Sequence, residues 1–172
     1  KAIKFFAIAI LFSGVSVMSS AQNTATSESV DAAANIISPL AITNTGSLNF
    51  GTLVSMASSY TATVGTDANR TLSNENAAKV GGITSTVAVP TFNVTGDSNA
   101  KFAITLPVST SLTTTTAGAT AMTVDNFVHS AGTSPQLSSG AASFKVGARL
   151  NVGEAQKAGS YTGTFTVTVA YE

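Results

Sequence analysis

The sequence contains no cysteine and no tryptophan, a single histidine, and charge on only 9% of its 172 residues. Each shortage removes a class of function. Without cysteine there is no disulfide framework, no thiolate metal site, no cysteine nucleophile and no lipid attachment through a cysteine. The lone imidazole, His129, has neither a carboxylate cluster nor a second ligand near it in the sequence, so it supports neither a metal centre nor a Ser-His dyad. The eight acidic residues stand singly, mostly in turn-like stretches, and no two read as an acid/base couple. Asp125, between Val124 and Asn126, is expected to face solvent or cap a turn. The eight basic residues form no cluster and the formal net charge is zero, which argues against a nucleic-acid backbone or an anionic membrane surface as partner. The glycines at Gly81-Gly82 lack the residues that follow in a phosphate loop, so they read as a turn. Asn69-Arg70-Thr71 and Asn93-Val94-Thr95 match the glycosylation tripeptide, a match that is frequent by chance in a Thr-rich chain. The expectation is a protein that is not an enzyme, with no cofactor, no metal and no small-molecule substrate.

What the chain does contain is 44% hydrophobic residues set in Thr, Ser, Ala, Asn and Gly, a mixture that favours strands and turns. Its length suits one domain, large enough to bury roughly two-thirds of its unfolded surface.

The beginning stands apart. Lys1 and Lys4 precede an apolar run from Phe5 to Phe12 and beyond, which ends at Ser19-Ser20-Ala21. That is the layout of a secretory signal peptide over residues 1–21, with Gln22 as the first mature residue. The run is short of the roughly 20 apolar residues that a membrane span needs. Its removal leaves six basic against eight acidic residues, a net charge near −2. The expected location is therefore outside the cytoplasm.

Residues 22–36 are read as an N-terminal arm and 37–172 as the folded body. Within the arm Val30, Ala32, Ala34 and Ile36 share one parity while Asp31 and Asn35 take the other, the alternation of an extended segment with one apolar face. The competing reading is an ordinary disordered terminus. Pro39 suits a break between the arm and a first body strand at 37–43.

Short alternating runs then follow at 48–55, 60–64, 84–94, 101–108, 122–128 and 142–152, separated by turn residues such as Gly96-Asp97-Ser98-Asn99 and Ser139-Gly140. With no amphipathic helix among them, they predict an all-β, immunoglobulin-like antiparallel sandwich. Phe102, Ile104 and Leu106, then Val87, Val89, Phe92 and Val94, then Phe144, Val146, Ala148 and Leu150 are the expected core. Phe92 and Val94 lie on the opposite parity to Val87 and Val89, with Pro90 at the change, so a bulge or strand switch is expected there. The clearest strand is 161–172: Tyr161, Gly163, Phe165, Val167, Val169 and Tyr171 alternate with four threonines, Ala170 and Glu172. In sequence order nothing after it is at hand to pair with it, and an open edge is expected.

The blocks from Pro39 to Asn44, Leu48-Asn49-Phe50-Gly51-Thr52-Leu53, Phe92-Asn93-Val94-Thr95-Gly96, from Phe102 to Pro107, from Met122 to Phe127, from Phe144 to Ala148, and from Gly159 to Tyr171 together resemble a bacterial secreted-domain family of unassigned function, related to chaperone-usher pilins and to spore coat protein U. The resemblance implies an incomplete pilin-type sandwich lacking its final strand. Its groove would be filled by a periplasmic chaperone, served by an outer-membrane usher, and then by the arm of a neighbouring copy in a pilus or fimbria. Val30, Ala32, Ala34 and Ile36 would form the donor strand, and Phe165, Val167, Val169 and Tyr171 the acceptor groove. Tyr171 stands where such pilins commonly carry an aromatic, whereas the cysteine pair that many of them use is missing. The alternative is a self-complete secreted sandwich, acting as a coat, matrix or binding module, whose arm folds into its own domain.

Overall fold

The computed structural model describes residues 26–78 and 86–172. The expected signal peptide, its cleavage site, the start of the arm and the Gly81-Gly82 turn lie outside the described residues. The chain divides into two units, 1–35 and 36–172. The described part of the first, 26–35, carries no secondary structure and its side chains are exposed.

The second unit is all-β, apart from one short 3-10 turn at Glu75–Ala78. Its strands are β1 (Ala41–Thr45), β2 (Tyr60–Val64), β3 (Arg70–Leu72), β4 (Thr91–Thr95), β5 (Phe102–Thr105), β6 (Ser109–Leu112), β7 (Met122–His129), β8 (Ala141–Val152) and β9 (Thr168–Tyr171). Every pairing is antiparallel.

The organising element is β8. Phe144, Val146, Ala148, Leu150 and Val152 repeat every second residue and are all buried, so one face of this twelve-residue strand points into the core from Phe144 to its end. Its first part pairs with β4 and its last part with β2, while β7 takes the edge opposite β2. β1 continues outward from β4, β3 from β2, and β6 from β7. The second sheet is the pair β5–β9, with Phe102 opposite Tyr171 and Thr105 opposite Thr168. Gly147 is dictated by the packing: a Cβ there would lie 2.3 Å from the Val64 carbonyl oxygen.

Two apolar clusters lie inside this β-sandwich. One gathers Tyr60, Ala62, Val64, Met122, Val124, Leu150 and Val152. The other gathers Phe92, Val94, Phe102, Leu137, Phe144 and Val146, and the Phe92 and Phe144 rings stack in it at 5.4 Å. Phe127 packs on both.

Several expected strands differ from the structure, each for a pairing reason. The first body strand forms four residues late because Ala41 is the first residue with a partner, Thr95. The 84–94 run breaks at Pro90: Asn49 pairs with Ala88 one residue out of step with the β1–β4 register. The 101–108 run forms a strand only over β5 and stops at Leu106-Pro107-Val108, after which β6 begins. The 48–55 run is irregular, with a single bridge at Asn49. The final run has a ladder only in its last part, and residues 161–167 touch a neighbouring strand through one bridge, Thr162 with Thr113.

Candidate functional site

The half of the last strand without a ladder borders an open groove of about 950 Å³. One wall is 46–55, the other 156–165, and the floor is Leu112, Met122, Val124, Leu150 and Val152 from β6, β7 and β8. The floor belongs to the first apolar cluster, with Met122, Val124, Leu150 and Val152 only 1–7% exposed.

The 161–167 wall has one occupied edge and one open edge. Thr162 and Thr113 exchange both main-chain hydrogen bonds at 2.8 Å, and Thr110 Oγ1 donates to the Thr164 carbonyl at 2.6 Å. In an extended chain alternate residues turn their backbone groups to opposite sides. Residues 161, 163 and 165 therefore turn theirs away from β6, and none of the three makes a main-chain hydrogen bond to another described residue. Gly163 leaves a gap in the inward row between Tyr161 and Phe165. Its backbone lies so close to β6 that a Cβ would stand 2.3 Å from the Ser111 carbonyl oxygen.

The 46–55 wall is held without a ladder. Arg70 Nη1 donates to the carbonyls of Phe50 at 2.6 Å and Thr52 at 3.0 Å. Tyr60 Oη donates to the Val54 carbonyl at 2.7 Å, and the Ala155 amide to that of Met56 at 2.6 Å. Burial raises the pKa of the Tyr60 hydroxyl, the dominant effect there, and keeps it a protonated donor. At the far end Gln156, 6% exposed, donates to the Thr120 carbonyl and to Tyr161 Oη, which donates in turn to the Lys157 carbonyl.

Of the expected acceptor residues, Phe165 lines the groove, and together with Val167, Val169 and Tyr171 it packs, half-buried, on the second cluster. Tyr171 Oη accepts from the Asp97 amide at 2.6 Å and donates to the Ser38 carbonyl at 2.8 Å. The expected donor residues Val30, Ala32, Ala34 and Ile36 are all exposed, Val30 at 88% and Ile36 at 94%. Arg70, Tyr60 and Gln156 escaped the sequence reading. β3 is too short to alternate visibly; the one available signal was that Arg70 is the only basic residue between Lys4 and Lys79.

Among the described residues no group of three His, Cys, Asp or Glu could hold a metal ion. His129 lies edge-on to Phe144 at 6.0 Å, and its buried Nδ1 has no partner. Asp125 is bound by Arg149, whose Nε and Nη2 donate at 2.9 and 3.2 Å, and by Asn151 Nδ2 at 3.0 Å. The Arg149 hydrogen bonds, foremost, hold the Asp125 carboxyl below its ordinary range.

No curated protein matches the chain, and no solved structure does. A family match spans residues 40–171, nearly the whole folded body, and the chain belongs to that family, the domain of unknown function DUF4402.

Proposed function

We propose that this domain is a structural subunit of an extracellular pilus or fimbria, joined to copies of itself by strand insertion. The arm of one copy enters the groove of the next. The observation that carries the reading is the open edge of residues 161–165 beside a groove with an apolar floor. Main-chain pairing along such an edge gives affinity, and alternate side chains entering the groove give register. An arm with Val30, Ala32, Ala34 and Ile36 on one parity has the pattern such a groove takes.

Magnitudes show which term must dominate. Burying Val30 and Ile36 contributes roughly 1.5 to 3 kcal/mol each, and the alanines less. Association costs about 4 to 15 kcal/mol of lost freedom. Side chains alone barely offset that cost, so ladder hydrogen bonds at about 0.5 to 1.5 kcal/mol each supply the surplus. A head-to-tail contact of this kind does not close on itself and yields a filament. A periplasmic chaperone covering the groove before assembly, and an outer-membrane usher, complete the set of partners in this reading.

Electron microscopy and size-exclusion chromatography of the secreted protein test it. The full chain should form filaments, and deletion of residues 22–36 should leave monomers whose groove still accepts an arm peptide. A full chain that stays monomeric at high concentration with residues near Ser27 resistant to protease would instead place the arm in its own domain and make the protein a self-complete sandwich.

A further inference from the structure

The 46–55 wall bears on how an incoming strand is accepted, and the inference drawn from it rests on the strand-insertion reading above. In a straight strand alternate carbonyls lie about 6.8 Å apart. One nitrogen bound to two of them at 2.6 and 3.0 Å requires them to stand closer than that. Gly51 brings them together: its φ of +73° bends the chain between Phe50 and Thr52, and its amide is caught by Asn49 Oδ1 at 2.8 Å. Beyond the bend the wall runs on with the Val54 and Met56 carbonyls again turned to the body, where Tyr60 Oη and the Ala155 amide meet them. The carbonyls of residues 50, 52, 54 and 56 thus all have donors, and three of the four bonds come from side chains. The intervening Leu53 and Ser55 make no main-chain hydrogen bond to another described residue.

We infer that Arg70 and Tyr60 are positioning residues of the acceptor groove: their side chains take the place of a neighbouring strand along one edge of residues 50–54 and fix the path of the wall on from the Gly51 bend, with the Leu53 and Ser55 backbone ready to pair with the backbone of an arm from a second copy. Recognition at this wall is then of main chain rather than of particular side chains. The wall is ordered before the arm arrives, so its ordering is not charged against binding.

The side chains reach the wall from β2 and β3, which are fixed by their ladders to β8 and to each other. Arg70 sits opposite Val64, whose side chain is fully buried, so the guanidinium starts on the inner face and extends toward the wall. A lysine there could donate from one point to one carbonyl at a time with a mobile stem, and would hold the bend less well.

The test uses freshly dissociated monomer of the full chain, a fluorophore-labelled peptide of residues 26–38 as probe, and the variants Tyr60→Phe, Arg70→Lys, Arg70→Met and the Tyr60→Phe/Arg70→Met pair. Tyr60→Phe keeps the ring and its packing and removes only the hydroxyl. Two readouts are taken: peptide association kinetics, and amide hydrogen exchange over residues 49–56. The expected result is association slowed by about 5-fold in each single variant and by more in the pair, the equivalent of about one hydrogen bond each. Exchange should quicken at 49–56 and stay unchanged in β2 and β8, with Arg70→Lys between wild type and Arg70→Met. Exchange at 49–56 unchanged in the pair overturns the inference, whether or not any peptide binds. Association within twofold of wild type in the pair overturns it as well. Wild type that binds no peptide and forms no polymer, with exchange at 49–56 quickened in the variants, rejects the strand-insertion reading and leaves the two side chains as props of the wall alone. A variant that loses its near-ultraviolet circular dichroism is replaced by Arg70→Lys, whose exchange pattern decides the matter.

Discussion

The rings of Phe127 and Phe165 lie 5.0 Å apart, inclined at 40°, and they meet because β7 changes parity between them and its start. Met122 and Val124 point inward on even positions, whereas Phe127 and His129 turn inward on odd ones. The change is made at the register shift between Asp125 and Val128, where Asn126 has φ +49°. The bulge places Phe127 on both apolar clusters and against the last strand beside the groove. A double-mutant cycle should show it: Phe165→Ala should destabilise by about 2 kcal/mol, less than a fully buried phenylalanine, with a coupling to Phe127→Leu of about 0.5 to 1.5 kcal/mol in urea unfolding. Additive effects would refute the contact.

Two glycines should answer differently to alanine. At Gly147 the new Cβ would press on the Val64 carbonyl between β2 and β8, and a loss of about 1 to 3 kcal/mol is expected. At Gly132 there is open space and only φ +74° to oppose the change, so the loss should be about 1 kcal/mol. Thermal unfolding of the two variants checks the order.

Removing one oxygen should loosen the root of the arm. Tyr171→Phe deletes the acceptor of the Asp97 amide and the donor to the Ser38 carbonyl, costing about 1 to 3 kcal/mol through the unsatisfied amide. The ring itself has room only because residue 96 is glycine, where a Cβ would collide with the hydroxyl. Hydrogen exchange should quicken at Asp97 first. An unchanged Asp97 rate would contradict the bond.

Acid should reveal Asp125. Its pKa is lowered in the folded state, chiefly by the Arg149 hydrogen bonds, so the unfolded chain takes up the proton first as pH falls. The contribution is whole above the ordinary carboxylate range and is lost below about pH 4, through the folded pKa. Since the Arg149 side chain is 41% exposed, solvent screens the pair and the effect should be small. Unfolding midpoints of Asp125→Asn, measured from pH 6 to pH 2, should fall less steeply than those of the wild type.

On the strand-insertion reading, Val167→Asp should stop assembly while the chain is still made. Val167 is half-buried on the second cluster beside the open edge, and a carboxylate in that apolar row has no partner to receive it. Immunoblotting should find the secreted chain and electron microscopy no filaments. Normal filaments would remove Val167 from the groove's role.

How much of this was legible in the sequence follows from the range of each interaction. The inward face of β8 was readable because Phe144, Val146, Ala148 and Leu150 alternate without interruption, and alternation is a property of the extended backbone itself. The same reasoning located the strand in the last part of 161–172, Thr168–Tyr171, and the break at Pro90. It failed where a residue's face depends on what lies beside it. The bulge in β7 put Val124 and Phe127 on one side although their parity differs. β3 was too short to carry a pattern. The 48–55 run alternates as a strand would, yet it is held by Arg70 and Tyr60 side chains arriving from another part of the chain.

The last strand divides along the same line. Its local chemistry, apolar residues at every second position against threonines, determined that it would be extended and which side chains would turn inward. Only the tertiary structure decided that Thr168–Tyr171 would find a ladder on β5 while residues 161, 163 and 165 turned their backbone groups toward an open groove. A strand's face is set by its own dihedral angles, but its edges are satisfied by whichever chain comes alongside.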